Sequence, residues 1–349
     1  MMYYLPKDYK IKRINDAGSK ARWDIEDIMA QMGISPIGRH HGISHSRIHH
    51  FFMTLMSVIR IALRINHGNI LILQYPVKYY STICRIAHIK KARIISFVHD
   101  LYCFRQKRHS IHKAIELMNL SDALVCCNPT ICQWMSANGF VGHNGKGITT
   151  SMGVFDFFSK AKCMSRQEQG ITHKIAYAGQ LSIRKNKFLY SFGHHIHTFR
   201  VNVYGKGFNK ADAAAPEKFE VKGFMLPDEL IGCADGDFGL VWDGDSVECC
   251  NGDWGEYLTF NTPHKISLYI RCGLPLIVWS KAAMADFVKE NGIGICIDSL
   301  RDIDEIYEHL TQEEYNKMCD NILRINQAIS KGEYFRNALS EAISLLTQV

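Results

Sequence analysis

Rhythm is what most constrains this chain. Short, almost wholly apolar runs recur along it, and segments with helical spacing alternate with them. NILILQYP (Asn69–Pro76), ARIISFVHD (Ala92–Asp100) and DALVCCN (Asp122–Asn128) form a first series. HKIAYAG (His173–Gly179), FRVNVYG (Phe199–Gly205), FEVKGF (Phe219–Phe224), DFGLVWD (Asp237–Asp243), LPLIVWS and IGICID form a second. Apolar runs of strand length between helical patterns specify parallel sheets covered by helices, an α/β architecture.

A polar stretch without apolar period, Lys160–Thr172, separates the two series. At 349 residues the chain is long for one core. The expected division is therefore an N-terminal Rossmann-like domain over 1–165 and a C-terminal one over 166–349, with the last helix packing back on the first domain. Two such domains facing each other leave a cleft outside the strand carboxyl ends, where ligands bind in this architecture.

Charge separates the halves. Residues 1–162 carry 22 Lys+Arg against 9 Asp+Glu and 11 of the 17 histidines, whereas the remainder carries 19 against 25. A basic half attracts nucleic acid, phosphorylated ligands or an acidic membrane surface, and charge alone does not choose among them. The twelve cysteines show no C-x-x-C spacing and read as small core residues of a reducing compartment. The N-terminus lacks a signal-peptide apolar stretch. The most hydrophobic segment, Phe51–Ile65, is broken by Arg60 and Arg64 and is shorter than the ~20 residues that span a bilayer. These features predict a soluble cytoplasmic protein with peripheral contact at the inner face of the membrane. Within RHHGISHSRIHH and the segment after it, Arg47, His50, Ser57, Arg60 and Arg64 share one helical side, and Phe51, Phe52, Leu55, Ile59 and Ala62 another. That basic amphipathic helix either rests on an anionic membrane or packs on its own domain.

Anion-binding candidates cluster in the second half. In FNTPHKIS, Thr262 reads as N-cap and Pro263 as the first helical residue, with the helix running to Arg271 and Gly273 behind it. A helix start offers free N–H groups and partial positive charge to a diphosphate, and Lys265 beside His264 adds a full charge. The same pattern also suits an ordinary capped helix with a solvated lysine. Arg184, Lys185 and Lys187 follow the strand ending at Gly179 and read as a cleft-facing or a merely solvated basic turn. Tyr204 closes the next strand, to stack on a flat base or to pack in the core. Gly18-Ser19 reads as a small-residue loop before a helix over 21–32, suited to close backbone approach or to a plain N-cap turn. Walker-type and complete G-x-G-x-x-G motifs are missing from the sequence, which disfavours an ATPase or dinucleotide enzyme.

An inverting transferase needs a base for the acceptor hydroxyl. His99-Asp100 ends one first-domain strand, and Asp243 and Asp245 follow one in the second. Asp100 is preferred because it lies in the domain opposite the donor candidates, although it can equally cap a loop or pair with Arg105. Glu248 and Glu256 have a spacing seen in retaining transferases, but they fall in the irregular interval Gly244–Asn261 and read as coincidence. Intervals of that length without regular structure are uncommon and often functional.

Taken together, NDAGSKA, ISFVHDLYCFR, Arg184 and the long run from GLVWDGDS through NTPHKISLY to GLPLIVWSKAA resemble a bacterial GT-B glycosyltransferase family. It contains β-1,6-galactofuranosyltransferases of surface polysaccharide synthesis and is related to the streptococcal adhesin glucosyltransferase. The resemblance implies a fold of two Rossmann-like domains across a cleft. It also implies transfer of galactofuranose or glucose from a UDP-sugar to a cell-surface glycan or lipid-linked oligosaccharide. Asn261, Pro263, His264 and Lys265 would hold the nucleotide's phosphates or ribose, with Asp243 in the same donor set. Arg184 would bind the pyrophosphate, Tyr204 would line the nucleotide pocket, and Gly18-Ser19 would close over it. Family members need no metal, so no cofactor is expected beyond the UDP-sugar co-substrate, although DGD at Asp243–Asp245 matches a metal-binding pattern formally. A UDP-sugar epimerase on the same fold, or less favourably a nucleic-acid-binding protein, is the rival reading. No nucleic-acid motif supports the latter, so no nucleic-acid partner is expected. The oligomeric state, a homo-oligomer included, stays open.

Overall fold

The computed structural model describes residues 1–6, 9–10, 17–38, 43–44, 46–105, 110–166 and 170–348. Asn15 and Asp16 of NDAGSKA, and His40, His41 and His45 of the histidine-rich stretch, lie outside the described residues, as does part of the polar stretch 160–172. The chain forms two compact units, Met1–Asp156 with Gly332–Val349, and Phe157–Lys331.

The first unit contains β1 (Met2–Tyr4), β2 (Tyr9–Lys10), α1 (Ala17–Gln31), β3 (Ser35–Pro36), β4 (Ile43–Ser44), α2 (Arg47–Arg64) and β5 (Ile70–Tyr75). It continues with α3 (Tyr80–Ile89), β6 (Arg93–Val98), α4 (Tyr102–Arg105), α5 (Ile111–Met118), β7 (Ala123–Cys126), α6 (Pro129–Ala137) and β8 (Ile148–Ser151). Six strands form a parallel sheet in the order β3-β1-β5-β6-β7-β8, and β2 pairs with β4 separately. Every residue of β5 and of β7 is buried, because helices cover both faces of the sheet.

In the second unit lie β9 (Lys174–Gln180), α7 (Phe188–Phe192), β10 (Arg200–Lys206), β11 (Phe219–Gly223), α8 (Pro227–Cys233), β12 (Phe238–Val241) and α9 (Gly252–Gly255). There follow α10 (His264–Arg271), β13 (Leu276–Trp279), α11 (Ala285–Asn291), β14 (Gly294–Ile297), α12 (Asp302–His309) and α13 (Gln312–Lys331). Its parallel sheet runs β11-β10-β9-β12-β13-β14. Counted within the unit this is 3-2-1-4-5-6, the doubly wound order whose switch point falls between the first and fourth strands. In the first unit the reversal falls between β1 and β5. The architecture is thus α/β with two Rossmann-like units.

The last helix, α14 (Glu333–Thr347), returns to the first unit, where the Thr150 hydroxyl donates to the Ala338 carbonyl at 2.9 Å. Its start is held by Asp156, whose carboxylate accepts the Tyr334 and Phe335 N–H groups at 3.2 and 2.7 Å. Burial pushes the Asp156 pKa up to about 7. Among the described residues, no helix is long and apolar enough to cross a membrane.

Three local readings change. Helix α1 begins at Ala17, so Gly18 and Ser19 form its first turn rather than a loop before it. The buried side chains of Ile25, Ile28 and Met29 anchor this helix, which offsets the conformational entropy that glycine loses on becoming helical. The interval Gly244–Asn261 is not irregular throughout. It contains α9 and a 3-10 turn over Glu256–Thr259, packed by buried Tyr257 and Leu258. Pro263, with ψ 128°, is the extended residue before α10, and Thr262 is buried with its hydroxyl on the Met284 sulfur at 3.3 Å. The proline therefore takes the flanking position assigned to the threonine.

Candidate active site

The site of the second unit begins with a missing side chain. Gly239 lies in β12, and a Cβ there would sit 2.3 Å from the ring of Tyr269. The glycine thus admits Tyr269 of α10 flat against the sheet, where its hydroxyl accepts the Ala178 N–H at 2.7 Å. In the same last turn of α10, Arg271 bonds Asn326 and donates to the Ser159 and Ala161 carbonyls at 3.3 and 3.2 Å. These contacts anchor the carboxyl-terminal turn of α10, one to two turns beyond Lys265.

Two strand ends and a helix start converge at the switch point. The turn after β9 supplies Lys185, the end of β12 supplies Asp243, and the first turn of α10 supplies Lys265. Lys265 Nζ lies 3.0 Å from Asp243 Oδ1, and Lys185 Nζ lies 3.3 Å from Asp243 Oδ2. Beneath them Lys265 Nζ stands 4.6 Å from the Tyr177 ring centroid, and Lys185 Nζ 5.5 Å from that of Trp254. The Tyr177 hydroxyl sits between Asn186 Oδ1 at 2.6 Å and the Trp242 carbonyl at 2.8 Å, which fixes the ring under the ammonium. Gly244, at φ +117°, lets the chain turn sharply after Asp243, and a Cβ there would meet the Asn251 carbonyl oxygen at 2.4 Å.

Electrostatically the cluster is unbalanced. Two ammonium groups share one carboxylate, leaving an excess positive charge at a helix start. Burial pulls the Lys265 pKa below the ordinary lysine value, and the Asp243 carboxylate opposes that shift. Burial also raises the Tyr177 phenol, so it stays neutral. Both Asp243 oxygens face lysines, so the formal DGD pattern is realised as a lysine clamp; Asp245 is exposed, its N–H on Asn251 Oδ1 at 2.9 Å.

The other donor candidates vary. Arg184 lies exposed in the turn that carries Lys185. His264 packs on Phe157, with ring centroids 5.0 Å apart. Asn261 has a buried side-chain oxygen with no hydrogen-bond partner among the described residues, an acceptor suited to a ligand donor such as a ribose hydroxyl. Of the two readings of Tyr204 the burial matches core packing: it is only 3% exposed, and its hydroxyl accepts the Asp235 N–H at 2.9 Å in the loop before β12. Glu248 pairs with Arg301 at 2.5 Å, a surface contact with no part in the cluster.

In the first unit, the strand ends carry a different set. Gln74 of β5 donates to the Arg22 carbonyl at 3.2 Å, and Arg22 donates back to the Gln74 carbonyl at 2.9 Å. Because the Gln74 amide nitrogen is used there, its Oε1 accepts from His99 Nε2 at 2.7 Å. His99 also stacks over Phe155 at 6.0 Å. Asp100 follows directly, half-buried beyond β6. Ser19 is buried in the first turn of α1. Sequence reasoning singled out Asp100 but missed the Arg22–Gln74–His99 chain, whose members are 52 and 25 positions apart.

Comparison with known proteins agrees with this architecture. The N-terminal domain model of the glucosyltransferase 3-like family matches residues 3–145, and its C-terminal domain model matches residues 175–342. Beta-1,6-galactofuranosyltransferase WbbI of Escherichia coli K12 is 30% identical over 98% of both chains. Glucosyltransferase 3 of Streptococcus gordonii is 23% identical over 80% of both. Among solved structures, Anabaena Alr3699/HepE in complex with UDP and glucose superposes with TM-score 0.61 at 11% identity, covering 98% of this chain and 99% of that one. A trehalose-phosphate synthase (UDP-forming) of Burkholderia vietnamiensis gives 0.59 at 8% identity, covering 100% and 98%. At such identities the superpositions speak to fold alone, and that fold is GT-B.

Two Rossmann-like units, one with an ammonium cluster at its switch point, define a glycosyltransferase of the GT-B class. Within that class, the chain belongs to the glucosyltransferase 3-like family, and the galactofuranosyltransferase of Escherichia coli is its relative over nearly the whole length.

Proposed function

We propose that this glycosyltransferase moves a hexose, galactofuranose or glucose, from a UDP-sugar to a cell-surface glycan or lipid-linked oligosaccharide, with inversion at the anomeric carbon. The observation that carries the reading is the Lys185–Asp243–Lys265 cluster at the start of α10. The names of the relatives supply the choice of sugars.

In this reading the acceptor oxygen attacks the anomeric carbon, the bond from that carbon to the diphosphate oxygen breaks, and UDP departs. Lys265, Lys185 and the N–H groups of α10 stabilise the negative charge that grows on the leaving diphosphate. Exposed Arg184 adds to the field, and Asn261 and His264 line the nucleotide. These groups supply the positive charge that a divalent cation provides elsewhere, so transfer proceeds in EDTA without added metal. Asp100 takes the acceptor's proton. His99 is a second reading for the base, favoured by its bond to Gln74. With Nε2–H donating there, the neutral ring carries its lone pair on Nδ1.

A thermal-shift screen of UDP, dTDP, UDP-galactofuranose and UDP-glucose, followed by product analysis with and without acceptor glycan, tests the proposal. The expected result is stabilisation by uridine diphosphates and UDP release only when acceptor is present. Conversion of one UDP-sugar into another without acceptor would instead make the enzyme an epimerase.

A further inference from the structure

Helix α2 is turned inside out. Ser57 and Ile61 face the interior of the first unit, 8% and 0% exposed. On the opposite side Ile48, Phe51, Phe52, Leu55, Met56, Ile59 and Leu63 are all exposed, with Ile48 at 70% and Leu63 at 76%. At 3.6 residues per turn these seven fall within an arc of about 140°, a continuous apolar stripe along the helix. Globular helices place that stripe against the core; here it points outward.

Charge frames the stripe. Exposed Lys78 lies over Phe51, 5.4 Å from its centroid, along one edge. His49 and Arg60 lie along the other on the helical wheel, and Arg64 follows in the last turn. From Ile28 to His99 the sequence carries nine Lys+Arg and not one Asp or Glu. The adjacent helix α3 belongs to this acid-free segment and leaves Ile89 79% exposed beside exposed Lys90. Two copies of such a face would bring like charges together with no carboxylate between them. Phosphates in solution would answer the charge and leave the phenylalanines in water. A surface that combines acyl chains with anionic headgroups answers both features.

We propose that α2 docks this protein onto an anionic phospholipid bilayer, with the Ile48–Leu63 stripe in the headgroup–acyl boundary and Lys78, Arg60 and Arg64 on the lipid phosphates. The proposal does not depend on which sugar is transferred or on which residue is the base. Lys78 follows the carboxyl end of β5, so the Phe51 end of the stripe lies on the same side of the first unit's sheet as His99 and Asp100.

Flotation of the full chain with vesicles tests this. Phosphatidylcholine vesicles containing phosphatidylglycerol should carry the protein at low salt, whereas pure phosphatidylcholine and high salt should each weaken binding at least about tenfold. The double variant Phe52→Asp/Leu55→Asp should lose vesicle binding, and Lys78→Glu should weaken it severalfold. All three positions are exposed, so their melting temperatures should stay close to wild type. Failure of the wild-type protein to float with anionic vesicles overturns the proposal, as does unchanged binding by the double variant. A wild-type dimer that Phe52→Asp converts to monomer, without vesicle binding, would show that a second copy covers the stripe.

Discussion

The two units repeat one architecture and differ in what they place at its reversal point. In the second, three residues from two strand ends and a helix start put two ammonium groups on one carboxylate. In the first, the comparable strand ends hold a chain of polar groups, Arg22 to Gln74 to His99, with Asp100 beside it. The folds share their reason: apolar strands of a parallel sheet, covered on both faces. The chemistry has another, namely which residue follows each strand. A lysine pair favours binding an anion, whereas a braced imidazole next to a carboxylate favours proton transfer. Fold class alone assigns neither role.

The largest expected effect separates those roles most cleanly. Asp100→Asn should lower transfer by roughly 100- to 10,000-fold, the range typical of general-base loss, while UDP affinity by calorimetry stays at the wild-type value. Near-normal turnover would pass the role to His99, which His99→Ala with the same assays would show. Lys265→Ala should behave in the opposite way. UDP binding and transfer should fall together by about 100-fold or more, following the ~2.7–4 kcal/mol attached to a preorganised charge donor. If Lys265→Ala kept wild-type UDP affinity, the contrast between the units would collapse.

How much of this was legible beforehand differs by scale. The buried runs ILILQY, RIISFV and LIVW read as strands because covered parallel strands are apolar on both sides. By contrast, β1 passed unread: MYY is three residues long, too short to show any period, although it pairs with both β3 and β5. Lys265 was visible from its place after Pro263. The clamp was not, since Lys185 and Lys265 meet Asp243 only because β9 lies beside β12 in the sheet. For Tyr204 strand-end position left stacking and core packing open, because it does not report the tilt of a side chain; its ring is buried and its hydroxyl turns back to Asp235. The periodicity of α2 was plain, but which side faced inward was not. A wheel gives two faces and leaves to packing, here through Ser57 and Ile61, which of them is buried.

An intermediate effect tests whether the clamp depends on the packing beneath it. Gly239→Ala would place a Cβ against Tyr269, and the contact is with ring and Cβ atoms close to the backbone rather than with a mobile tip. Helix α10 must then shift. Overpacking of this kind costs about 1–3 kcal/mol, readable as a lower denaturation midpoint, and the displaced first turn should weaken UDP binding as well. Lost stability with unchanged UDP affinity would mean that the Lys265 position tolerates movement of its helix. No comparable effect is expected from Gly68→Ala in the first unit, where an added Cβ meets nothing within 4 Å, apart from the strain of φ +77°.

The smallest expected effect concerns the Asp243 carboxylate as a tuner of charge. Burial lowers the Lys265 pKa and Asp243 raises it. Asp243→Asn keeps the size of the side chain and removes the opposing charge, so the Lys265 pKa should fall further. Only the ammonium form attracts a diphosphate, and a lower pKa means that this form disappears sooner as pH rises. UDP affinity in the variant should therefore begin to decline at a lower pH than in the wild type. At acidic pH, where Lys265 is protonated in both proteins, the variant should bind UDP as well as or better than wild type, because no carboxylate competes for the lysines. On the alkaline side the variant should bind UDP more weakly than wild type at the same pH. Superimposable pH profiles would show that Asp243 merely holds the lysines in place and leaves their protonation to the rest of the site.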